Sequence, residues 1–298
     1  MNKLPLIIDT DVALGAWHEG RPRDIDDGFA IVEAINVDAI DLLGVTTVYG
    51  NAPHQDVARI AREIVELKQS STPVVEGATS NTPGDNILPA VQFMADCLKV
   101  QRLSIAAIGP LTNIAQLIEH FPEVLPNIET LVIVAGRTPD NRFFIGDTGP
   151  VRDFNFENDV PAMQQLLTSG VPLVLAGFEL TSQVEITEQD LQNIRVRSNP
   201  TAEYFYKNSL DWVHHWTTTF PQDNGFHPWD SAAISYLLHP EYYVAETRFA
   251  RIDELDSKPA LSCSATADKS WGTPVTYLSG FTEGCKAKFV HDVVTTVY

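Results

Sequence analysis

Residues 4–36 read LPLIIDTDVALGAWHEGRPRDIDDGFAIVEAIN and combine a short apolar run, a polar loop and the start of a helix. The run Leu4–Ile8 has no charged residue, which is typical of a strand buried in a parallel sheet. Asp26–Asn36 has apolar residues at helical spacing and begins with acidic residues, as helix N-termini often do. A strand followed by a helix begins a βαβ unit, so this stretch indicates an α/β fold.

The alternation of strand-like and helix-like segments continues to about residue 176. The further predicted strands are Ile40–Val48, Leu103–Ile108, Thr130–Val134 and Pro172–Ala176, and the further predicted helices are His54–Leu67, Thr112–His120 and Pro161–Ser169. This order favours an open, mostly parallel Rossmann-like sheet with helices on both faces.

The pattern changes after about residue 185, where aromatic residues become frequent. The predicted elements there are a helical segment at Glu188–Trp216, a helix at Trp229–Leu238, a strand at Pro274–Leu278 and a helix at Ala287–Val297. No linker or internal repeat divides the chain, so we expect residues 1–298 to form a single domain. The aromatic helical segment is expected to cover an active site.

The charge and the cysteines narrow the class of protein. A formal net charge of −19 repels polyphosphate, which argues against DNA or RNA as a partner but not against a neutral small molecule. The three cysteines form no CxxC pair, which argues against a cysteine zinc site and suits a reducing cytoplasm. With no signal-like segment and no apolar run of about 20 residues, we expect a soluble cytoplasmic protein that does not bind membranes.

Polar residues follow several predicted strands. Asp9 and Asp11 follow the first strand, Asn51 follows the second and Asn113 lies in the segment GPLTN after the third. In open α/β sheets, ligands bind beyond the carboxyl ends of the strands. We therefore expect the active site at this edge of the sheet.

The acidic residues of the N-terminal stretch are close together in sequence. Asp9 and Asp11 end the first strand, and Asp26 and Asp27 begin the first helix. Acidic residues at a helix start can simply cap it, which is the alternative for Asp24, Asp26 and Asp27. The whole set would repel itself without a cation, and carboxylate oxygens suit Ca²⁺ or Mg²⁺. The set therefore favours a metal site.

This stretch resembles the opening motif of the inosine–uridine nucleoside hydrolase family, a strand followed by DxDPGxDD. The acids of that motif are matched by Asp9, Asp11, Asp26 and Asp27. Val12 stands in place of the proline, and Ala13–Arg23 fill an expanded loop. The motif is therefore similar to that of the family but carries an insertion beside the expected catalytic centre.

Five further segments are similar to family motifs and occur in the same order along the chain. They are Thr46–Asn51 (TTVYGN), Ile108–Asn113 (IGPLTN), Val134–Gly136, Asp153–Asn155 (DFN, where the family has EFN) and Trp229–Asp230. The resemblance implies the nucleoside hydrolase fold and a nucleoside N-ribohydrolase, which releases ribose and a free base from a small-molecule nucleoside. It also implies a homodimer or homotetramer.

The resemblance assigns roles to individual residues. Calcium is the implied cofactor, and its implied ligands are Asp11, Asp27, Asp230 and the backbone carbonyl of Ile108. Asp26 is the implied general base, acting on a calcium-activated water. The implied ribose-binding residues are Asn51, Asp153 and Asn155. Asp153 is one methylene shorter than the glutamate that the family usually has at this position.

The residues expected to contact the base are aromatic. Many relatives carry a histidine immediately before the late aspartate, where this chain has Trp229. A purine-preferring branch of the family also has tryptophan there, so the resemblance tilts the expected substrate toward purine nucleosides and their salvage. His227, Trp17 and Trp212 are further candidates for contact with the base, although Trp212 also fits helix-core packing.

Two other functions fit parts of the sequence. LIIDTDV resembles the opening of haloacid-dehalogenase-like phosphatases, in which Asp9 would be the nucleophile and Mg²⁺ the cofactor. That alternative lacks a suitable phosphate-binding lysine and leaves GPLTN unexplained. An inactive relative that binds ribose and calcium is the other alternative. The role of the insertion stays open, and its residues Arg21 and Arg23 could admit an anionic substrate.

Overall fold

The computed structural model describes residues 3–82 and 84–298. The strands in these residues are β1 (Leu4–Thr10), β2 (Trp17–His18), β3 (Arg21–Pro22), β4 (Ile40–Thr47), β5 (Val74–Glu76), β6 (Leu103–Ala107), β7 (Ile128–Val134), β8 (Leu173–Ala176), β9 (Ile186–Thr187), β10 (Gly225–Phe226), β11 (Tyr243–Leu255), β12 (Lys258–Ser264) and β13 (Thr273–Phe281).

The helices alternate with the strands along most of the chain. They are α1 (Asp26–Asn36), α2 (His54–Leu67), α3 (Pro89–Val100), α4 (Thr112–His120), α5 (Phe154–Asn158), α6 (Val160–Thr168), α7 (Phe178–Thr181), α8 (Glu188–Arg195), α9 (Pro200–Thr219), α10 (Ser231–Leu238) and α11 (Cys285–Thr295), with 3₁₀ helices at Pro122–Asn127 and Pro240–Tyr242. Across the described residues, we find no helix with the length and apolar character needed to span a bilayer.

Nine strands form one sheet in the order β12–β11–β13–β8–β7–β6–β1–β4–β5. All neighbouring strands from β13 to β5 are parallel, whereas β11 runs antiparallel to both β12 and β13. Two hydrophobic cores pack on the sheet: Leu6 and Ile8 of β1 belong to one, and Ile7 belongs to the other. Successive strand residues point to opposite faces, so both faces are covered, as expected for the mostly parallel sheet.

The structure corrects several predicted boundaries. Glu188–Trp216 is two helices, because α8 ends before Asn199 and α9 begins at Pro200. Proline disfavours a helical conformation in the residue before it, and the Asn199 side chain instead accepts a hydrogen bond from the Ala202 N–H at 2.8 Å. Trp229 precedes α10, which begins at Ser231.

Some elements had no counterpart in the prediction. They include helix α3 and strands β5, β11 and β12. Strand β11 has only two buried residues, Tyr243 and Ala250, among exposed and half-buried positions. It therefore lacks the continuous apolar run by which the parallel strands were recognised.

The sheet order places the polar strand ends side by side. Strand β1 lies between β6 and β4, and Asp9 pairs in register with Ala107 on one side and Thr46 on the other. The backbone continues this pairing, since the Ile108 N–H donates to the Asp9 carbonyl at 2.8 Å. The residues that follow β1, β4 and β6 therefore meet at one edge of the sheet.

The buried carboxyl of Glu33 in α1 should make the stability of the protein depend on pH. Glu33 is fully buried, and burial, followed by the charge of Asp292, raises the pKa of its carboxyl to about 8. The folded state then holds a proton that the unfolded chain releases above about pH 4.3. This difference in protonation lowers the free energy of unfolding as pH rises from about 4.3 to about 8, by at most about 1.4 kcal/mol per pH unit.

Replacing Glu33 by glutamine should remove that contribution. We expect Glu33→Gln to gain stability relative to the natural chain as pH rises from 5 to 8, measured by urea unfolding. Glu66→Gln, at an exposed position of α2, is the matched control and should show no such trend. Parallel stability curves for Glu33→Gln and the natural chain would contradict the assignment.

Candidate active site

Five aspartates meet at the carboxyl edge of the sheet. Asp9 and Asp11 come from the end of β1 and the residue after it, Asp26 and Asp27 from the start of α1, and Asp230 from the residue before α10. All five are buried. One carboxylate oxygen from each of Asp26, Asp27 and Asp230 lies within 4.8 Å of the other two, so these three carboxylates could hold a metal ion.

Neighbouring strands supply hydrogen-bond donors to the first aspartate. The Asp9 Oδ1 accepts hydrogen bonds from Thr46 Oγ1 at 2.6 Å and from Asn113 Nδ2 at 2.8 Å. Burial nevertheless raises the pKa of Asp9 to about 7. Asp9 therefore ties the ends of β1, β4 and α4 together beneath the other carboxylates.

The remaining carboxylates are fixed mainly by backbone groups. Asp11 Oδ2 accepts the Asn51 N–H at 2.7 Å, and Asp26 Oδ2 accepts the Asp230 N–H at 2.8 Å. Asp27 accepts a hydrogen bond from the hydroxyl of Thr10. The positions of these carboxylates are thus set by strand and helix ends rather than by flexible side chains.

Several carboxylate oxygens have no hydrogen-bond partner among the described residues. They are Asp9 Oδ2, Asp11 Oδ1 and Asp27 Oδ2, all buried. Burial, followed by the charge of Asp27, raises the pKa of Asp11 well above its ordinary value, and burial followed by the charge of Asp26 raises that of Asp27 to about 7. Unpaired buried oxygens are costly, and a hard divalent cation is the ligand that suits such a set.

Two glycines allow the backbone to approach Asp11 closely. A Cβ on Gly50 would lie 1.9 Å from Asp11 Oδ2, and a Cβ on Gly109 would lie 3.2 Å from Asp11 Oδ1. A larger residue at position 50 would push away the N–H of Asn51. The close approach of the backbone to Asp11 explains why the segments after β4 and β6 have glycine at these positions.

The carbonyl of Ile108, a predicted metal ligand, lies in this region and accepts Asn155 Nδ2 at 3.1 Å. Asn155 Nδ2 also lies 3.4 Å from the Val134 carbonyl. A carbonyl oxygen has two lone pairs, so this bond leaves Ile108 one for a cation. Asn155 thus ties the ends of β6 and β7 to the start of α5.

A cavity of about 290 Å³ opens beside the carboxylates. Its polar side is bordered by Asp26, Asn51, Asp153, Asn155 and Asp230. Its apolar side, which we call the aromatic wall, consists of Phe143, Phe178, Trp212, Trp216 and Trp229. All three predicted ribose-binding residues therefore border the same cavity.

Asp153 reaches the cavity despite its shorter side chain. Its Oδ2 accepts the Gly136 N–H at 3.0 Å. Burial raises the pKa of Asp153 to about 7, although the nearby charge of Arg137 opposes the shift. A buried carboxyl of this kind can accept a hydrogen bond from a sugar hydroxyl or, when protonated, donate one to it.

The aromatic wall is built by stacking. Trp229 stacks on Phe178 with 5.6 Å between ring centroids and 18° between ring planes, and Phe178 stacks on Phe143 at 4.1 Å. Trp216 meets Trp229 edge-on at 6.1 Å and also contacts Trp212. Flat rings arranged in this way offer a surface on which a planar base can stack.

The sequence profile described as "Inosine-uridine preferring nucleoside hydrolase" matches residues 6–293. The chain belongs to this family. Among its relatives, the pyrimidine-specific ribonucleoside hydrolase RihA of Shewanella woodyi is 29% identical over 76% of this chain and 80% of the relative. The non-specific ribonucleoside hydrolase RihC of Klebsiella pneumoniae is 26% identical over 84% of each chain.

Solved structures of nucleoside hydrolases share this fold. The purine-preferring ribonucleoside hydrolase from Gardnerella vaginalis superposes with a TM-score of 0.83 at 20% identity, over 98% of both chains. A plant nucleoside hydrolase, PpNRh1, gives a TM-score of 0.81 at 20% identity, over 98% of this chain and 99% of that one. The predicted nucleoside hydrolase fold is therefore confirmed.

Two residues that were expected to contact the nucleobase do not border the cavity. His227 is 2% exposed, and its ring nitrogens lie 2.7 Å from the Val184 carbonyl and 3.1 Å from Asp223 Oδ2. Trp17 is 57% exposed, and its Nε1 donates to Asp211 at 3.0 Å. His227 is thus a buried packing residue, and Trp17 lies outside the cavity.

Other residues on the cavity were missed by sequence reasoning. Phe143 lies in the irregular segment after β7, where no periodicity marks it. His215 lies with Trp212 on α9, in the aromatic segment that was expected to cover the site. Phe178 follows the end of β8, so the rule that ligands bind beyond strand ends could have identified it.

The carboxylates predict a cation-dependent stability. Calcium should raise the melting temperature, and at a free concentration of 100 times Kd the free energy of unfolding should increase by about 2.7 kcal/mol. Scanning fluorimetry with calcium and with a chelator measures this effect. Asp230→Asn should show a smaller response, whereas the exposed control Asp41→Asn should keep it. An equal response in Asp230→Asn would place the cation elsewhere.

Proposed function

We propose that this protein is a nucleoside N-ribohydrolase that cleaves the N-glycosidic bond of ribonucleosides, with calcium as its cofactor. The observation that carries the proposal is the clustering of three buried carboxylates, Asp26, Asp27 and Asp230, beside the aromatic wall. A riboside has matching parts, since its hydroxyls suit the polar side of the cavity and its base suits the aromatic side. Membership of a nucleoside hydrolase family supports the same reaction.

The cavity residues account for the steps of hydrolysis. Asn51, Asp153 and Asn155 bind the ribose hydroxyls, and Asp26 takes a proton from the attacking water. The water oxygen bonds to C1′ as the bond from C1′ to the base nitrogen breaks, and that nitrogen takes a proton from solvent. Positive charge develops on the ribosyl group during this step, and the surrounding carboxylates stabilise it.

Calcium would be held by Asp11, Asp27, Asp230 and the carbonyl of Ile108. When bound, it would offset the repulsion between the carboxylates and lower the pKa of a coordinated water. The unpaired oxygens of Asp11 and Asp27 support this ligand set. Asp26 belongs to the same carboxylate cluster, but its Oδ2 already accepts the Asp230 N–H, so we assign it to the base rather than to the metal.

Asp26 is the proposed base because it borders the cavity and is held in place by the Asp230 N–H. Burial raises the pKa of Asp26, and the hydrogen bond from Asp230 opposes that shift. A raised pKa makes a carboxylate a stronger base near neutral pH. Asp11 is the competing base: its Oδ1 has no partner among the described residues, but it is not among the residues that border the cavity.

Asparagine at positions 26 and 11 separates these roles. Asp26→Asn should lower kcat by about 10²–10⁴ while calcium affinity, measured by calorimetry, stays within about tenfold of the natural chain. Asp11→Asn should weaken calcium binding as well. If Asp11→Asn instead abolishes turnover with calcium affinity intact, and Asp26→Asn remains active, the base is Asp11 and the role proposed for Asp26 is wrong.

Purine nucleosides are the proposed preferred substrates. Support comes from Trp229, which borders the cavity and stacks on Phe178, because the larger ring system of a purine gains more from stacking. The names of the relatives do not favour one class, since RihA is named pyrimidine-specific and the Gardnerella enzyme purine-preferring.

Substitution of Trp229 tests this preference. We expect Trp229→Ala to lower kcat/KM for inosine more than for uridine, by about tenfold in the ratio, since base stacking is worth about 1–3 kcal/mol. Trp229→Phe should retain most of the preference. Trp271→Ala, which removes a tryptophan that does not border the cavity, is the control. An inosine-to-uridine ratio unchanged in Trp229→Ala would show that the ring does not select the base.

The phosphatase alternative has little support in the geometry. Asp9, its required nucleophile, is fully buried, and two donors already occupy its Oδ1. The residues that border the cavity include no lysine among the described parts of the chain. An assay for ribose release with calcium and with chelator separates the hydrolase from an inactive calcium-binding relative.

A further inference from the structure

The insertion at residues 13–23 brings two arginines to the cavity. Strands β2 and β3 pair as a short hairpin within it, and Arg21 and Arg23 both border the cavity. Arg23 is only 7% exposed, and its Nε has no hydrogen-bond partner among the described residues. A guanidinium rarely stays buried with an unpaired N–H, because desolvation of that group is costly. The unpaired group therefore points to a ligand.

The other contacts of these arginines are weak or solvent-exposed. Arg23 donates to Glu19 Oε2 at 2.8 Å, but the Glu19 side chain is 71% exposed. Arg21 has no carboxylate within ion-pair distance in the described parts of the chain. Arg152 also borders the cavity but is already paired with Glu157 at 3.1 Å. Arg21 and Arg23 are thus the cations most available to a ligand.

Arg21 lies on the side of the cavity formed by α9. Strand β3, which contains Arg21, packs against α9, and His215 and Trp212 of that helix also border the cavity. Arg21 is close enough to His215 that its charge, after burial, lowers the pKa of the imidazole. Asp24 and Asp26 border the same cavity, so it is lined by both acidic and basic side chains.

The charge of the whole chain makes these basic side chains unusual. A protein of net charge −19 repels anions at long range, and a neutral nucleoside needs no cation for binding. A forked guanidinium matches the paired oxygens of a phosphate or carboxylate. Among the described residues, Glu19 is the only carboxylate within ion-pair distance of either arginine.

We propose that Arg21 and Arg23 form an anion subsite, and that the preferred substrate is a riboside that carries a phosphate or a carboxylate. This inference rests on the proposed hydrolase function and narrows its substrate class. The reaction is the same: water adds to C1′, the bond to the base nitrogen breaks and that nitrogen takes a proton. A phosphate ester or ring carboxylate on the substrate stays intact.

Matched substrate pairs test the subsite. We would measure kcat/KM for inosine and inosine 5′-monophosphate, and for uridine and orotidine, a pyrimidine riboside with a ring carboxylate. The natural chain should prefer the charged member of at least one pair. A preference in the first pair places the anion on the sugar, and a preference in the second places it on the base.

Variants connect that preference to the arginines. Arg21→Gln and Arg23→Gln should each lower the charged-to-neutral ratio of kcat/KM by about tenfold or more. Arg102→Gln removes the same charge at the start of β6, remote from the cavity, and should leave the ratio unchanged. Arg21 is exposed, so Arg21→Gln decides the question if the buried Arg23→Gln does not fold.

Binding measurements separate this inference from the proposed function. Calorimetry with ribose 5-phosphate, orotate and ribose reports the subsite without any turnover. Arginine-dependent binding of either anion, with no riboside cleaved, would support the subsite and contradict the hydrolase. Cleavage of neutral nucleosides with the same ratios in all variants, and no arginine-dependent anion binding, would overturn the subsite and leave the hydrolase in place.

Discussion

Mutual repulsion between buried carboxylates is the constraint on which the rest of the site depends. Asp11, Asp26, Asp27 and Asp230 crowd the edge of the sheet. Burial raises the pKa of each, and the charges of neighbouring aspartates raise those of Asp11, Asp27 and Asp230 further. Backbone N–H groups and hydroxyls meet some of their oxygens, but others remain unpaired among the described residues. A divalent cation would neutralise the repulsion and coordinate the unpaired oxygens.

The parallel sheet makes this arrangement possible. Strands β4 and β6 flank β1, so Thr46 of β4 and Asn113, which follows β6, both donate to Asp9 at its end. Gly50 lets the backbone come close enough for the Asn51 N–H to bind Asp11. Asn51 also borders the cavity, so a residue that holds one of the carboxylates also shapes the space for a ribose.

The cavity has three chemically different sides. The carboxylates and amides suit a sugar, the aromatic wall suits a flat base, and the edge with Arg21 and Arg23 suits an anion. The first side is shared with the motifs of the family, whereas the third comes from the insertion of this chain. A change in substrate class could thus arise from one loop without disturbing the hydrolytic centre, because that loop joins β1 to α1 at the cavity.

The sequence by itself determined the parallel strands other than β5, the helices between them other than α3, and the grouping of Asp9, Asp11, Asp26 and Asp27. Buried strands are continuous apolar runs, and residues at their ends meet wherever parallel strands lie together. Only the tertiary structure decided that His215 rather than His227 borders the cavity, that Trp17 lies outside it and that Phe143 and Phe178 join its wall. The path of each loop and the rotation of each helix about its axis determine which side chains border the cavity. Both depend on packing between segments that are far apart in the chain.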